Sequence, residues 1–211
     1  MPDASPRTFE VRHLQMARAL FAAIAAVMIT FSIDHSAGVG VAVFSGFTVA
    51  TGLVLLLAVW LVFRAGARWP SMILGLIMLA AGMIGSIPTL RTTEGFFILV
   101  MVWAFIAGAA ELTLGLVGRR QDTPAAREAV FVGALTLVLA VALIFIDRGY
   151  NLEYYIDDAQ RSFSLTGITI GVGVFGGYAA IVAVYLGIAA FSPRPAPAVT
   201  ADPAHTTGGT A

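Results

Sequence analysis

Six long apolar runs dominate this chain, at about residues 17–33, 39–63, 72–90, 95–117, 129–146 and 165–191. A helix rises about 1.5 Å per residue, so about 20 apolar residues cross the ~30 Å hydrocarbon core of a bilayer. Each run is long enough, and tilt takes up the excess in the second and sixth. None alternates apolar with polar residues, as a strand of a membrane barrel must. In lipid the backbone has no water to bond to, so a continuous apolar run satisfies its own hydrogen bonds as a helix. The expectation is an all-α membrane protein with six transmembrane helices and the lipid bilayer as its principal partner.

Composition narrows the chemistry. Only 11% of residues are charged, against roughly 25% in a soluble domain, too few to clothe a water-facing globule. There is no cysteine, which excludes disulfides, thiolate metal sites and thiol nucleophiles. All twelve basic residues are arginine, so a lysine Schiff base and a P-loop lysine are excluded as well. A formal net charge of zero gives no sign of nucleic-acid binding. No GxSxG elbow, P-loop, HExxH or dinucleotide fingerprint stands in a credible context. The chain is therefore expected to be non-enzymatic, with no catalytic residue, cofactor or metal.

The arginines orient the helices. With the N-terminus inside, the inner segments hold Arg7, Arg12, Arg18, Arg64, Arg68, Arg119, Arg120, Arg127 and Arg194, while the outer loops hold Arg91, Arg148 and Arg161. That asymmetry satisfies the positive-inside rule with both ends in the cytoplasm. Residues 1–16 read as a polar cytoplasmic segment. The apolar run that follows is too long for a signal-peptide core and lacks a convincing A-x-A cleavage site before the next span, so it is kept as a helix. Residues 192–211, rich in Pro, Ala, Thr and Gly, are expected to be a disordered cytoplasmic tail.

The six runs group into three hairpins, about 17–63, 69–117 and 129–191, that look like copies of one unit. Gly52, Gly108 and Gly177 fall in register in the second helix of each, and Asp34, Pro88 and Asp147 lie at the outer end of each first helix.

Glu111 is the most informative single residue. It stands inside the fourth run, about 9 Å from its inner end. A carboxylate at the centre of a span costs about 2.5–3.5 kcal/mol, so it is expected to face the bundle. Ala104, Ala107, Gly108, Gly115 and Gly118 share its face and let a neighbour approach closely. It reads either as a titrating or substrate-contacting acid or as a structural post paired with Arg64 or Arg68. Asp34 and His35 end the first helix on the outer face, where a histidine beside a carboxylate could sense acid. The plainer reading is a polar turn before the second helix. The outer segment 147–161 carries Asp147, Glu153, Asp157 and Asp158 against Arg148 and Arg161. Its Tyr150, Tyr154 and Tyr155 suit the headgroup level, and it reads as a lid or an interfacial cap. Gly173 and Gly177 in the sixth run have the GxxxG spacing of close helix packing, inside the bundle or between copies in a homo-oligomer.

The second hairpin also carries a family likeness. The stretch from Arg68-Trp69-Pro70 through Gly75 to Gly82, then Trp103 through Gly108 and Glu111 to Arg119-Arg120, resembles the HdeD-like family. Its members are small bacterial inner-membrane proteins of repeated two-helix units, and the founding type is associated with acid resistance. The match covers about residues 68–120; the first and third hairpins agree in layout only, and the third departs with its acidic loop. The resemblance implies a stress-protection role and carries over no catalytic residues. The rival reading is a small transporter or channel in which Glu111 titrates within the membrane.

Overall fold

A computed structural model describes residues 9–63, 65–120, 125–157 and 160–192. The expected disordered tail lies outside the described residues from residue 193 on, as does Arg64. Six α-helices make up most of the described residues: α1 (Val11–Phe31), α2 (Ala37–Leu61), α3 (Trp69–Gly85), α4 (Thr93–Arg120), α5 (Ala126–Ile144) and α6 (Gly167–Phe191). Five are long and apolar enough to cross a membrane, which makes this a multi-pass membrane protein.

Three features differ from the sequence expectation. The first helix begins at Val11 rather than at residue 17, because the Glu10 N–H donates to His13 Nδ1 at 3.1 Å and closes the first turn. Arg12, His13, Gln15 and Arg18 are thus all helical, although their polarity made this segment read as a flank. The third helix is shorter than the expected run to residue 90. The Ser86 hydroxyl bonds the Gly82 carbonyl at 2.8 Å, and Pro88, which has no N–H to continue the ladder, opens a 3-10 turn over Pro88–Leu90. With 17 residues, α3 is not among the five candidate spans. Finally, the outer segment is not a plain loop in an all-α chain. Strands β1 (Asn151–Ile156) and β2 (Arg161–Thr166) pair antiparallel, with Leu152 opposite Leu165 and Glu153 opposite Ser164. Thr166 then caps α6, accepting from the Thr169 N–H.

Each helix packs on the next and α6 packs back on α1, so the six close a ring. The closest pairs are α2 with α3, α4 with α5 and α6 with α1. The hairpins read from the sequence, α1/α2, α3/α4 and α5/α6, are the looser contacts. Small residues explain the difference. A methyl on Gly52 would stand 2.9 Å from the Gly75 carbonyl oxygen, and one on Gly108 would stand 3.1 Å from that of Gly133. Where no side chain intervenes, two backbones touch along their length.

Burial runs in step through the odd helices. Arg18, Ala19, Ala22, Ala25, Ala26 and Ile29 in α1 are matched by Leu74, Gly75, Met78, Ala81, Gly82 and Gly85 in α3. In α5 the same spacing falls on Val132, Gly133, Thr136, Leu139, Ala140 and Leu143. The even helices agree likewise: Phe44, Phe47, Thr48, Thr51 and Leu55 in α2 answer to Val100, Trp103, Ala104, Ala107 and Glu111 in α4. They answer in turn to Phe175, Tyr178, Ala179, Val182 and Leu186 in α6. In this register the counterpart of Gly52 and Gly108 is Ala183, not Gly177.

The middle of the bundle is aromatic. Phe44, Phe47, Trp103, Phe175 and Tyr178 are all buried, and Phe44 and Trp103 meet edge to face at 5.1 Å between centroids. Trp103 Nε1–H reaches the Met78 sulfur at 3.3 Å, and the Thr136 and Tyr178 hydroxyls are 2.8 Å apart. These two bonds join matching positions of successive helix pairs. In the first pair, Ala22 and Phe47 stand there with no polar atom to satisfy.

Candidate functional site

The polar site of this bundle lies at the end where α1 begins. The Arg18 guanidinium donates to Glu111 Oε1 at 2.6 Å, and the side chains are 7% and 3% exposed, so the ion pair is sealed from solvent. It spans α1 and α4, helices on opposite sides of the ring that do not pack extensively on each other. At the matching positions the other helices carry Leu74 and Val132, and Leu55 and Leu186. One charged pair has taken a level of the bundle that is otherwise aliphatic.

Neither residue could be held there alone. Moving an isolated ion from water into a low-dielectric interior costs several kcal/mol even after relaxation, and a partner at hydrogen-bond distance offsets that cost. Of the expected partners of Glu111, Arg64 lies outside the described residues, and Arg68 turns away. Its Nε–H donates to the Phe63 carbonyl at 3.2 Å, and its guanidinium lies 5.2 Å from the centre of the Trp60 ring.

A cavity of about 180 Å³ opens beside the pair, with Leu14, Leu55, Trp69, Leu74 and Leu114 in its mostly apolar wall. Gln15 also lines it and is 2% exposed. Among the described residues its Oε1 and Arg18 Nε have no hydrogen-bond partner. Ser71, on the same wall, donates its hydroxyl to the Leu55 carbonyl at 2.8 Å.

The other sequence candidates are placed elsewhere. Asp34 is exposed in the turn between α1 and α2: its carboxylate accepts from the Ser36 N–H at 2.8 Å and from the Ser36 hydroxyl at 3.0 Å. Ser36 in turn caps α2 through the Val39 N–H. His35 is half-buried, and among the described residues it makes no side-chain hydrogen bond. Asp147 is exposed and accepts from the Gly149 N–H at 2.9 Å, which folds the turn before β1. Asp34 and Asp147 thus shape turns, and among the described residues no group of three or more His, Asp or Glu could hold a metal. The end of the bundle that carries the β1–β2 hairpin has an ion pair the sequence did not single out, Arg148 with Glu94 at 2.5 Å, with Arg148 also 5.4 Å from the Phe97 ring centre. It pins the hairpin's approach to the first turn of α4. The pair is largely exposed, so screening leaves it little to contribute to stability.

The glycines divide. Gly108 and Gly115 lie against the backbone of α5, where a methyl on Gly115 would stand 2.6 Å from the Val130 nitrogen. Gly173 and Gly177 are exposed on α6 with nothing within 4 Å of a methyl built there. Any close packing through them is with a second molecule, not within this bundle.

Sequence reasoning missed Arg18 and Gln15. The signal was present: both interrupt the small-residue face of Ala19, Ala22, Ala25 and Ala26 at helical spacing, which places them inside. Counting Arg18 as a flanking positive charge hid it. Compared with known family models, characterised proteins and solved structures, the chain matches none, so its likeness to the HdeD-like family rests on the residues quoted above.

Proposed function

We propose that this chain is a non-catalytic, six-span protein of the bacterial inner membrane, with both ends in the cytoplasm, that supports survival of acid or envelope stress as a packed membrane scaffold. The observation that carries the scaffold reading is the aromatic centre: five buried rings from α2, α4 and α6 occupy the middle of the bundle, where a transporter would need a polar path. The rival reading gave Glu111 to a proton or substrate route. Its pairing with Arg18 supports a structural post instead.

The sixth span is α3. At about 25 Å it is short for the hydrocarbon core, but it lies along α2 for most of its length. Ser71 bonds Leu55, Gly75 meets Gly52, and a methyl on Gly82 would stand 2.9 Å from the Ser45 carbonyl. A helix so matched to a spanning neighbour crosses the same slab. The buried positions in step support three related two-helix units, and the inner arginines keep their majority after Arg18 is withdrawn from the count. The stress role itself rests on the family likeness. In this reading a homo-oligomer forms through the exposed Gly173 and Gly177 of α6.

Three experiments test it. Deletion of the gene is expected to lower survival after acid challenge, with wild-type complementation restoring it; survival equal to the parent removes the stress role. Purified protein in proteoliposomes is expected to leave proton flux at the level of protein-free vesicles. A flux lost in Glu111→Gln would replace the scaffold with a transporter. For the assembly, Gly177→Leu is expected to keep the fold and reduce cross-linked dimers in membranes.

A further inference from the structure

We infer that one phospholipid with a net negative headgroup binds astride α2, with its phosphate on Arg91 and its two acyl chains in the grooves on either side of that helix. One groove, of about 430 Å³, runs between α2 and α3 past Ser45, Val49, Leu53 and Gly85. The other, of about 240 Å³, runs between α1 and α2 past Phe21, Ile24, Met28 and Val43. Ala42, Gly46 and Ala50 line both, so only a low crest of α2 separates them. A cavity of roughly 150 Å³ takes up benzene, and each groove is larger, with room for a stretch of acyl chain. Length agrees with that occupant. Ala42 to Leu53 covers about 17 Å of helix, close to one leaflet of the ~30 Å hydrocarbon core. The matching face of α4 lacks this relief. The positions in step with Ala42, Gly46 and Ala50 are Ile98, Val102 and Ile106, exposed branched side chains that stand where the grooves lie on α2.

Charge selects the headgroup. Arg91 lines the α2–α3 groove beside Gly85 and Ser86, at the end of the bundle that carries the β1–β2 hairpin. It is exposed, and among the described residues its guanidinium has no ion pair or side-chain hydrogen bond. The nearby acids are already engaged, Glu94 with Arg148 and Asp34 with Ser36. An arginine stem lies along apolar surface while its head reaches the polar level, and there the guanidinium fork matches two phosphate oxygens. The chains decide little, because a groove wall and lipid tails are equally apolar. Headgroup charge therefore decides which lipid stays. One basic residue near the surface favours an anionic lipid by about fivefold. A phosphate that carries its own ammonium gains less from the arginine.

The test is native mass spectrometry of the full chain, delipidated in detergent and given phosphatidylglycerol, phosphatidylethanolamine or diacylglycerol with the same two chains. Phosphatidylglycerol is expected to bind saturably, as one adduct per protein chain. Phosphatidylethanolamine is expected to bind about fivefold more weakly, and diacylglycerol, which lacks the phosphate, more weakly still. Arg91→Gln is expected to bring phosphatidylglycerol down to the level of phosphatidylethanolamine. Gly46→Leu is expected to weaken both several-fold by filling the grooves, and the fold tolerates it because a methyl there meets nothing within 4 Å. Val102→Leu, at the matching position of α4, is expected to change neither. Equal binding of the three lipids, or phosphatidylglycerol binding unchanged in Arg91→Gln, would overturn the proposal and leave lipid that coats the bundle without a site. Dimers that vanish in Gly46→Leu, with no saturable lipid adduct, would give this face to a second copy and overturn it too. Each of these results leaves the scaffold reading untouched, since that reading stands on the aromatic centre and on survival.

Discussion

Glu111→Leu is expected to destabilise the protein by about 3–5 kcal/mol, and Arg18→Leu by a similar amount, while the two together return it to within about 1 kcal/mol of wild type. Each single change leaves a buried charge facing an aliphatic side chain, and that uncompensated ion is what costs the fold. The double change removes both charges and leaves two leucines at a level where the other helices already place Leu74, Val132, Leu55 and Leu186. The protein thus holds its own evidence that an aliphatic pair fits there. Denaturant unfolding of the four forms in detergent gives the coupling energy directly. If the double variant is as damaged as either single one, the bundle depends on the charge pair itself. The same four forms in the acid-survival assay then separate stability from function. A stable double variant that fails to protect cells makes the ion pair a working part; one that protects makes it a structural post.

How far the sequence could be read depended on which physical rule acted at each element. The apolar runs gave the membrane class and five of the spans, because hydrocarbon leaves an uninterrupted helix as the cheapest way to satisfy a backbone. Glu111 was found for the same reason, as a charge where charge is expensive. What stayed hidden was set by contacts between elements. The partner of Glu111 lies on the far side of the ring, and nothing local distinguishes Arg18 from Arg12 except the face it takes. The closest helix pairs also escaped, since a short loop between α1 and α2 makes them neighbours in sequence, whereas Gly52 and Gly75, and Gly108 and Gly133, decide which backbones meet. The β1–β2 hairpin was missed because charge and tyrosine content were read as a loop, when the pairing of Leu152 with Leu165 and Asn151 with Thr166 follows strand alternation. Gly177 was aligned with Gly52 and Gly108 on glycine identity, whereas the buried positions of α2, α4 and α6 fall in step with Ala183 opposite those two glycines.

Gly133→Val is expected to break the α4–α5 contact, with a loss of about 3 kcal/mol, the upper end of what overpacking costs when a core can adjust. Here it can adjust little. A side chain on Gly133 would fall on the backbone of Leu112, and it would stand 2.9 Å from the carbonyl oxygen of Gly108. Those atoms belong to a helix and cannot rotate away as a flexible side chain would. The whole of α4 would have to move outward, and because Glu111 lies on that same turn, its hydrogen bond to Arg18 across the ring would lengthen with it. Gly177→Val introduces the same side chain into a helix of similar hydrophobicity, but at a position with nothing within 4 Å. It is expected to leave the unfolding midpoint of the monomer within a few tenths of a kcal/mol, the usual range for a surface site. Unfolding curves in detergent, which separates copies, compare the two directly. Equal damage from both would mean that glycine matters here for helix conformation in general, and the close-packed seam would lose its role in deciding which helices pair. A large effect at Gly133 alone would show that the ring is closed by backbone contact, and that the same seam holds the buried charges in place.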